Sequence, residues 1–224
     1  MFYDPTFLML IPVLIFAFWA QTRVQSTYRK FLQVPAQRGL TGAEAARQLL
    51  DAANLRSVPI EITGGQLTDH YDPRKRALFL SQDNYSGRSV AALGVSCHEA
   101  GHAIQHSHAY AWLSMRNAIW PVAGFGSWAA WPIFFLGLLF RSPGMMDIGI
   151  LVFTIAAFFT IITLPVEFDA SSRAIKLLVQ HGIVTREEQG QARQVLNAAA
   201  LTYVAAALMS VVQLMRMLML RGRR

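Results

Sequence analysis

Residues 97–103 of the 224-residue chain read CHEAGHA, so that His98 and His102 stand four positions apart with Glu99 beside the first of them. In an α-helix, positions i and i+4 lie on one face, one turn apart, and two imidazoles so placed can reach a single metal ion. Zinc takes imidazole nitrogens at about 2.0–2.1 Å in a tetrahedral shell, and a catalytic site keeps one position for water. Glu99 is then placed to take a proton from that water. The stretch predicts a zinc-binding helix with Glu99 as the general base.

The residues around this stretch favour a helix over a chance match to a three-position pattern. Residues 89–96 contain good helix formers, and a serine at position 86 or 89 can cap the helix. Gly101 and Ala103 are small enough to leave space around the two imidazoles. Cys97 is the only cysteine of the chain, which excludes an internal disulfide and indicates a packing residue. The predicted zinc helix still needs a third ligand.

The composition indicates a membrane protein. The chain is 54% hydrophobic and 15% charged, and its mean hydropathy is +0.33. These values differ from those of ordinary soluble domains, and the apolar residues cluster in runs long enough to cross a bilayer. The net charge of +7 comes from Lys and Arg that stand mainly beside the apolar runs. Orientation in a lipid bilayer explains that placement better than nucleic-acid binding does, so we expect no nucleic-acid partner.

We expect residues 1–22 to form an N-terminal transmembrane span. The run from Pro5 to Ala20 is apolar apart from Thr6, and basic residues follow it at positions 23, 29 and 30. A signal peptide carries its positive charge before the apolar run, so this segment is predicted to be an uncleaved span. The positive charge also places its C-terminal end in the cytoplasm.

Residues 23–115 are predicted to form a cytoplasmic, zincin-like α+β domain. Thr41 and Glu44 have capping-box spacing and open an amphipathic helix that reaches about Ala53. Three strand-like runs follow near 58–63, 67–71 and 76–81, separated by turn residues. We therefore expect a small antiparallel sheet before the zinc helix, with an exposed edge that can pair with an extended substrate.

The remaining chain is divided into three predicted segments, 116–166, 167–197 and 198–224. The first contains two uncharged apolar runs and is expected to be a two-span transmembrane hairpin that returns the chain to the side of the zinc helix. The second is expected to hold the third ligand and then a polar helix, which Thr185 and Glu188 open with capping-box spacing. The third is an apolar helix expected to span the membrane. A full crossing puts its terminal arginines outside, against the usual charge preference, so a surface-bound helix is the alternative.

Glu167 follows the hairpin directly and is the predicted third ligand. If its helix continues, positions 170, 171 and 174 share its face, and they are the small residues Ala, Ser and Ala. Small residues allow two helices to approach closely enough to share a metal. The alternative is that Glu167 only extends its carboxylate to the membrane interface. Asp169 is predicted either to pair with Arg173, four positions on, or to orient a ligand histidine.

Two further histidines follow the zinc helix motif and are alternative third ligands. His108 has the spacing of a metzincin third ligand, but Gln105 stands where that motif needs glycine. His106 would lie roughly 12 Å along the helix axis from His98, which is too far for a ligand. Both His106 and His108 are predicted to face solvent or the membrane interface. During peptide hydrolysis, the negative charge that develops on the scissile carbonyl oxygen usually needs a further stabilising side chain. The candidates are His70, Arg173 and Tyr203. His70 has the alternative role of an ordinary strand residue.

Four stretches together resemble one family of proteins. They are His70-Tyr71-Asp72-Pro73-Arg74, Gly87-Arg88-Ser89-Val90-Ala91-Ala92, the run from His98 to Gln105, and Glu167-Phe168-Asp169-Ala170-Ser171. From Tyr28 onward the chain resembles the YugP-type neutral zinc metallopeptidases of bacteria, and the broader pattern is similar to HtpX-like membrane proteases. That broader group has Asp four residues after the glutamate, where this chain has Ser171. The resemblance implies a multi-pass gluzincin-like peptidase of the bacterial cytoplasmic (inner) membrane, with one Zn²⁺ and a cytoplasmic active site.

The sequence thus predicts a mainly α-helical membrane protein that is a zinc endopeptidase and cleaves peptide bonds of membrane or membrane-proximal proteins. Cleavage within the membrane is less favoured, since the apolar run before His98 is only about eight residues and a span needs about 20. The alternative to an enzyme is a non-catalytic membrane adaptor with a structural metal site, in which four protein ligands would fill the coordination shell. The sequence names no particular substrate and no oligomeric state.

Overall fold

The computed structural model describes residues 5–222 and is mainly helical. Asp4, at the start of the first predicted span, and Arg223 and Arg224, at the end of the last, lie outside the described residues. A 3₁₀ turn over Pro5–Met9 precedes the first α-helix. The helices are α1 Leu10–Leu32, α2 Gly42–Ala52, α3 Gln82–Tyr85, α4 Val90–Ser107, α5 Ala111–Leu139, α6 Pro143–Gln180 and α7 Arg186–Gly222. The strands are β1 Ile60–Thr63, β2 His70–Asp72 and β3 Ala77–Ser81.

The described residues separate into two compact units. One, which we call the apolar unit, contains residues 5–21, 114–164 and 201–222. The other, which we call the site unit, contains residues 22–113 and 165–200.

Four helices of the described chain are long and apolar enough to cross a membrane: Thr6–Leu32, Ala111–Leu139, Pro143–Gln180 and Arg186–Gly222. Large apolar side chains on these helices are solvent-exposed, among them Phe18 at 77% and Trp128 at 75%. Exposed apolar faces of this extent are typical of surfaces that contact lipid. The mainly helical, membrane-associated architecture expected from the composition is confirmed.

The apolar unit is packed around aromatic and small residues. Its buried cluster includes Phe134, Met146 and Met217. Helices α5 and α6 approach closely at Gly149, where an added Cβ would lie 2.8 Å from the Cβ of Phe134. The connection predicted at 141–147 is shorter, since α6 already begins at Pro143, and proline is favoured at a first helical position because it has no N–H to leave unpaired.

The sheet of the site unit is mixed, so the prediction of an antiparallel sheet is wrong. Its strand order is β1-β3-β2, with β1 parallel and β2 antiparallel to β3. Only β2 and β3 form a hairpin. Residues 64–69 carry the chain from β1 to the far edge of β3, so Gly64 and Gly65 do not form the turn of a hairpin. Asp69 fixes this crossing, because its carboxylate accepts hydrogen bonds from the backbone N–H of Ser81 and the amide of Asn84 at 2.8 Å each.

Side-chain caps fix the N-terminal starts of α2 and α4 in the site unit. The predicted capping box opens α2, since Thr41 Oγ1 accepts from the Glu44 N–H and the Glu44 carboxylate accepts from the Thr41 N–H. Ser89 caps α4 through the N–H of Ala92 at 3.1 Å. Helix α4 is buried along most of its length against α2 and the sheet. The buried helix therefore presents its residues at fixed positions inside the unit.

Candidate metal centre

Helix α4 brings the two spaced histidines together. The rings of His98 and His102 lie edge to face, with centroids 4.7 Å apart. His102 and Glu99 are each only 7% exposed. Cys97 is buried with no exposed surface and packs in the core of the site unit, as predicted for a packing residue.

Glu167 on α6 completes a group of three. Its Oε2 lies 3.3 Å from His98 Nε2 and 3.5 Å from His102 Nε2. In a tetrahedral shell with ligand distances of 2.0–2.1 Å, two ligand atoms are separated by about 3.3–3.4 Å. The two distances to Glu167 Oε2 are therefore close to those of a zinc shell, and all three donor atoms lie within 4.8 Å of one another. Nitrogen and carboxylate oxygen are ligand types that zinc accepts. The alternative in which Glu167 extends to the membrane interface does not agree with its 3% exposure.

The close approach of α4 and α6 depends on small residues. Gly101 faces α6, and a Cβ added there would lie 2.7 Å from the carbonyl oxygen of Ala170. Ala170 and Ala174, on the face predicted to be small, have no exposed surface. This absence of side-chain volume allows the Glu167 carboxylate to reach the histidines of the neighbouring helix.

The electrostatics of the group favour a bound cation. Burial lowers the pKa of His102, but the hydrogen bond and charge of Glu167, together with the charge of Glu99, raise it, and the net shift is upward. Two carboxylates thus act on one buried imidazole in the metal-free protein. A divalent cation can replace the proton that they attract.

Two residues around the group were not predicted from the sequence. Ser171 Oγ lies 3.1 Å from His98 Nδ1, and Gln105 Oε1 lies 3.0 Å from His102 Nδ1. Each imidazole therefore has an Nδ1 partner, and each Nε2 lies next to Glu167. The available signal was spacing, since Gln105 follows His102 by three positions and Ser171 follows Glu167 by four.

Asp169 makes the ion pair with Arg173 that its spacing predicts. The Asp169 Oδ2 atom also accepts a hydrogen bond from Gln105 Nε2 at 2.8 Å. Its connection to a ligand histidine, His102, therefore runs through Gln105.

Two of the oxyanion candidates, His70 and Arg173, have other partners in the site unit. His70 lies on the edge strand β2, exposed, with its ring stacked on Phe79 at 4.9 Å. Arg173 lies over the Tyr110 ring at 5.7 Å, in addition to its pairing with Asp169. Tyr203 belongs to the apolar unit. Among the described contacts, none joins His70 or Arg173 to the three ligand atoms.

The remaining helix histidines lie outside the group. His106 is half-buried and His108 is exposed, and the Nδ1 atom of His106 lies 2.8 Å from the Tyr71 hydroxyl. The strand β2 turns Tyr71 toward α4, which gives His106 a protein partner. His108 ends α4 as its C-terminal cap.

Comparison with known proteins agrees with this arrangement. A sequence profile for the family described as "Putative neutral zinc metallopeptidase" matches residues 6–222. A protein of Bacillus subtilis (strain 168) named "Putative membrane protease YugP" is 47% identical over 215 residues, which cover 95% of this chain and 96% of that protein. No solved structure matches the chain. The similarity extends along nearly the whole chain and confirms the resemblance drawn from the four stretches.

Proposed function

Since the chain belongs to the neutral zinc metallopeptidase family, we propose that it is a membrane-bound zinc endopeptidase of the gluzincin type. Its substrates on this proposal are membrane or membrane-proximal proteins, cleaved by hydrolysis of a peptide bond. The observation that carries the proposal is the placement of Glu167 Oε2 at 3.3 and 3.5 Å from the two Nε2 atoms. That spacing suits a shared ion better than it suits hydrogen bonds alone, which are shorter when one partner is charged.

His98, His102 and Glu167 would hold one Zn²⁺. Bound zinc would polarise the scissile carbonyl and bring the pKa of a water molecule down to about 7. Glu99 follows His98 directly and is buried with the group, where its carboxylate can accept a proton from the attacking water. The same side chain would then pass that proton to the leaving amine. No residue is assigned to the oxyanion.

The number of ligands supports catalysis over a structural role. Among the described residues, the clustered His, Cys, Asp and Glu donors are the three named above. A structural zinc site is normally closed by four protein ligands, whereas three leave a position for water. A buried carboxylate at Glu99 is also unnecessary for a purely structural ion. The adaptor alternative is therefore less well supported.

The proposed setting is the bacterial cytoplasmic membrane, with the metal centre on the cytoplasmic side. Four helices are long and apolar enough to cross, and the 18-residue α4 is not among them. This favours cleavage in the site unit over cleavage within a spanning helix. An extended substrate could pair with the free edge of β1 or β2, since β3 is the central strand.

The proposal is tested with Glu99→Gln. This variant keeps the three ligands, so we expect zinc content to stay unchanged while cleavage of an unfolded test protein falls at least about 100-fold. The matched control is Glu187→Gln, which changes an exposed glutamate on α7 and should retain full activity. Zinc content is measured on the purified protein together with the cleavage rate. Unchanged turnover in Glu99→Gln would contradict the assigned mechanism.

A further inference from the structure

The side chain of Gln105 is fully buried beside the candidate metal centre. It lies on α4, three residues after His102, and has no exposed surface. A buried amide is costly unless its polar atoms are paired. Here Oε1 lies 3.0 Å from His102 Nδ1, while Nε2 donates to the Val166 carbonyl and to Asp169 Oδ2, each at 2.8 Å. Three of the four hydrogen-bonding positions of this amide therefore face specific partners.

These partners determine the direction of the bond to His102. A backbone carbonyl and a carboxylate only accept hydrogen bonds, so both must face the NH₂ group of the amide. The Oε1 atom of Gln105 can therefore only accept, and His102 Nδ1 must donate to it. A neutral imidazole with its proton on Nδ1 has its lone pair on Nε2, which is the atom next to Glu167.

The same amide also fixes the third ligand. Val166 precedes Glu167 directly and Asp169 follows it by two positions, so Gln105 binds α6 on both sides of the glutamate. Asp169 is in turn held by Arg173. One side chain on α4 thus sets the protonation of one ligand and the position of another.

His98 has no equivalent constraint. Its Nδ1 partner is the Ser171 hydroxyl, at 3.1 Å. A hydroxyl can donate or accept, so it permits either neutral tautomer of His98. The difference makes Gln105 the partner that selects a metal-binding form.

We propose that Gln105 is a positioning residue of the metal centre, which holds His102 in the tautomer with a free Nε2 and fixes α6 next to Glu167. The proposal rests on the proposed function only in treating this group as a metal centre, and metal binding tests it without any cleavage assay. Residues that hold metal-ligating histidines typically contribute 10- to 100-fold to metal affinity.

The experiment measures Co²⁺ affinity of the full-length protein by absorbance titration with zinc competition. Gln105→Leu removes the acceptor and both donors at similar volume. Asp169→Asn is the companion variant, because its amide oxygen can still accept from Gln105 Nε2 and the bond from His102 Nδ1 to Gln105 Oε1 stays in place. The matched control is Gln191→Leu, which removes a half-buried glutamine of the same unit whose recorded partner is Glu187.

We expect Gln105→Leu to weaken Co²⁺ binding about 10- to 100-fold, Asp169→Asn to lose much less affinity, and the control to bind as the wild type does. Wild-type affinity in Gln105→Leu, or a loss in Asp169→Asn as large as in Gln105→Leu, would overturn the proposal. If Gln105→Leu does not fold, ¹⁵N NMR of the zinc-loaded wild type decides, because a His102 Nδ1 proton in rapid exchange with water is incompatible with the bond. Tight Co²⁺ binding without any peptidase activity would instead reject the proposed function and leave Gln105 in its role.

Discussion

At the scale of single residues, Gly101 is where the helix bearing two ligands meets the helix bearing the third. Alanine is a better helix former than glycine by about 1 kcal/mol, so helix propensity alone favours Gly101→Ala. The added Cβ would however lie 2.7 Å from the Ala170 carbonyl oxygen, and overpacking of this kind costs about 1–3 kcal/mol. We expect Gly101→Ala to lower both the melting temperature and the Co²⁺ affinity. The control, Gly190→Ala on α7, meets no atom within 4 Å and should stabilise the protein slightly. A neutral or stabilising Gly101→Ala would contradict the close approach of the helices.

The charge state of His102 makes the same centre sensitive to pH. Its pKa is raised in the metal-free protein, because Glu167 and Glu99 outweigh the effect of burial. A raised folded pKa stabilises the metal-free fold below the unfolded pKa of about 6.5, and this contribution is lost as pH rises through the folded pKa. The proton competes with a metal for Nε2, so apparent Co²⁺ affinity should fall roughly tenfold or more per pH unit below the folded pKa. Titrations between about pH 5.5 and pH 9 check this. An affinity independent of pH would be the contrary result.

At the scale of elements, local signals in the sequence predicted the helix starts but not the strand directions. The capping boxes at Thr41 and Thr185 are both present. Each threonine hydroxyl accepts from the backbone N–H of the glutamate three positions later, and that glutamate's carboxylate accepts from the threonine N–H. The i, i+4 spacing likewise placed both imidazoles on one face. The parallel pairing of β1 with β3 depends instead on contacts of Asp69 with residues 12 and 15 positions away. Gln105 was missed for the same reason, because its partners Val166 and Asp169 are more than 60 positions distant.

Removal of the Asp69 carboxylate is expected to destabilise β3 and the crossing that leads to β2. Asp69→Ala leaves the backbone N–H of the buried Ser81 without its acceptor, which costs about 1–3 kcal/mol in the free energy of unfolding. Faster amide hydrogen exchange should appear first in β3 and in the crossing segment 64–69. Asp69→Asn keeps an acceptor and should lose less. Equal exchange in β3 of the wild type and Asp69→Ala would show that other contacts fix the crossing.

At the scale of the whole molecule, the charges at the ends of the four apolar helices bear on how many of them cross the bilayer. Four crossings that begin outside put the connection before α6 and the end of α7 outside, and the chain between α1 and α5 inside. The positive charge at the end of α7 argues against this arrangement. However, Arg221 is bound at 2.9 and 3.1 Å by the two carboxylate oxygens of Asp147, near the start of α6. That pairing puts both residues at one end of the apolar unit and offsets part of the unfavourable charge.

The chain suits a labelling test of this topology, because its one cysteine is buried and burial raises the pKa of the Cys97 thiol. A buried thiol with little thiolate reacts slowly, so the wild type should take up no maleimide and serve as the background. Gly64, Gly144 and Gly222 each have open space where a side chain would start. In cells treated with an impermeant maleimide, we expect Gly144→Cys and Gly222→Cys to be labelled directly, and Gly64→Cys only after permeabilisation. Protection of Gly222→Cys alone would leave three spans with α7 on the membrane surface. Labelling of Gly64→Cys in intact cells would place the site unit outside and reject a cytoplasmic metal centre.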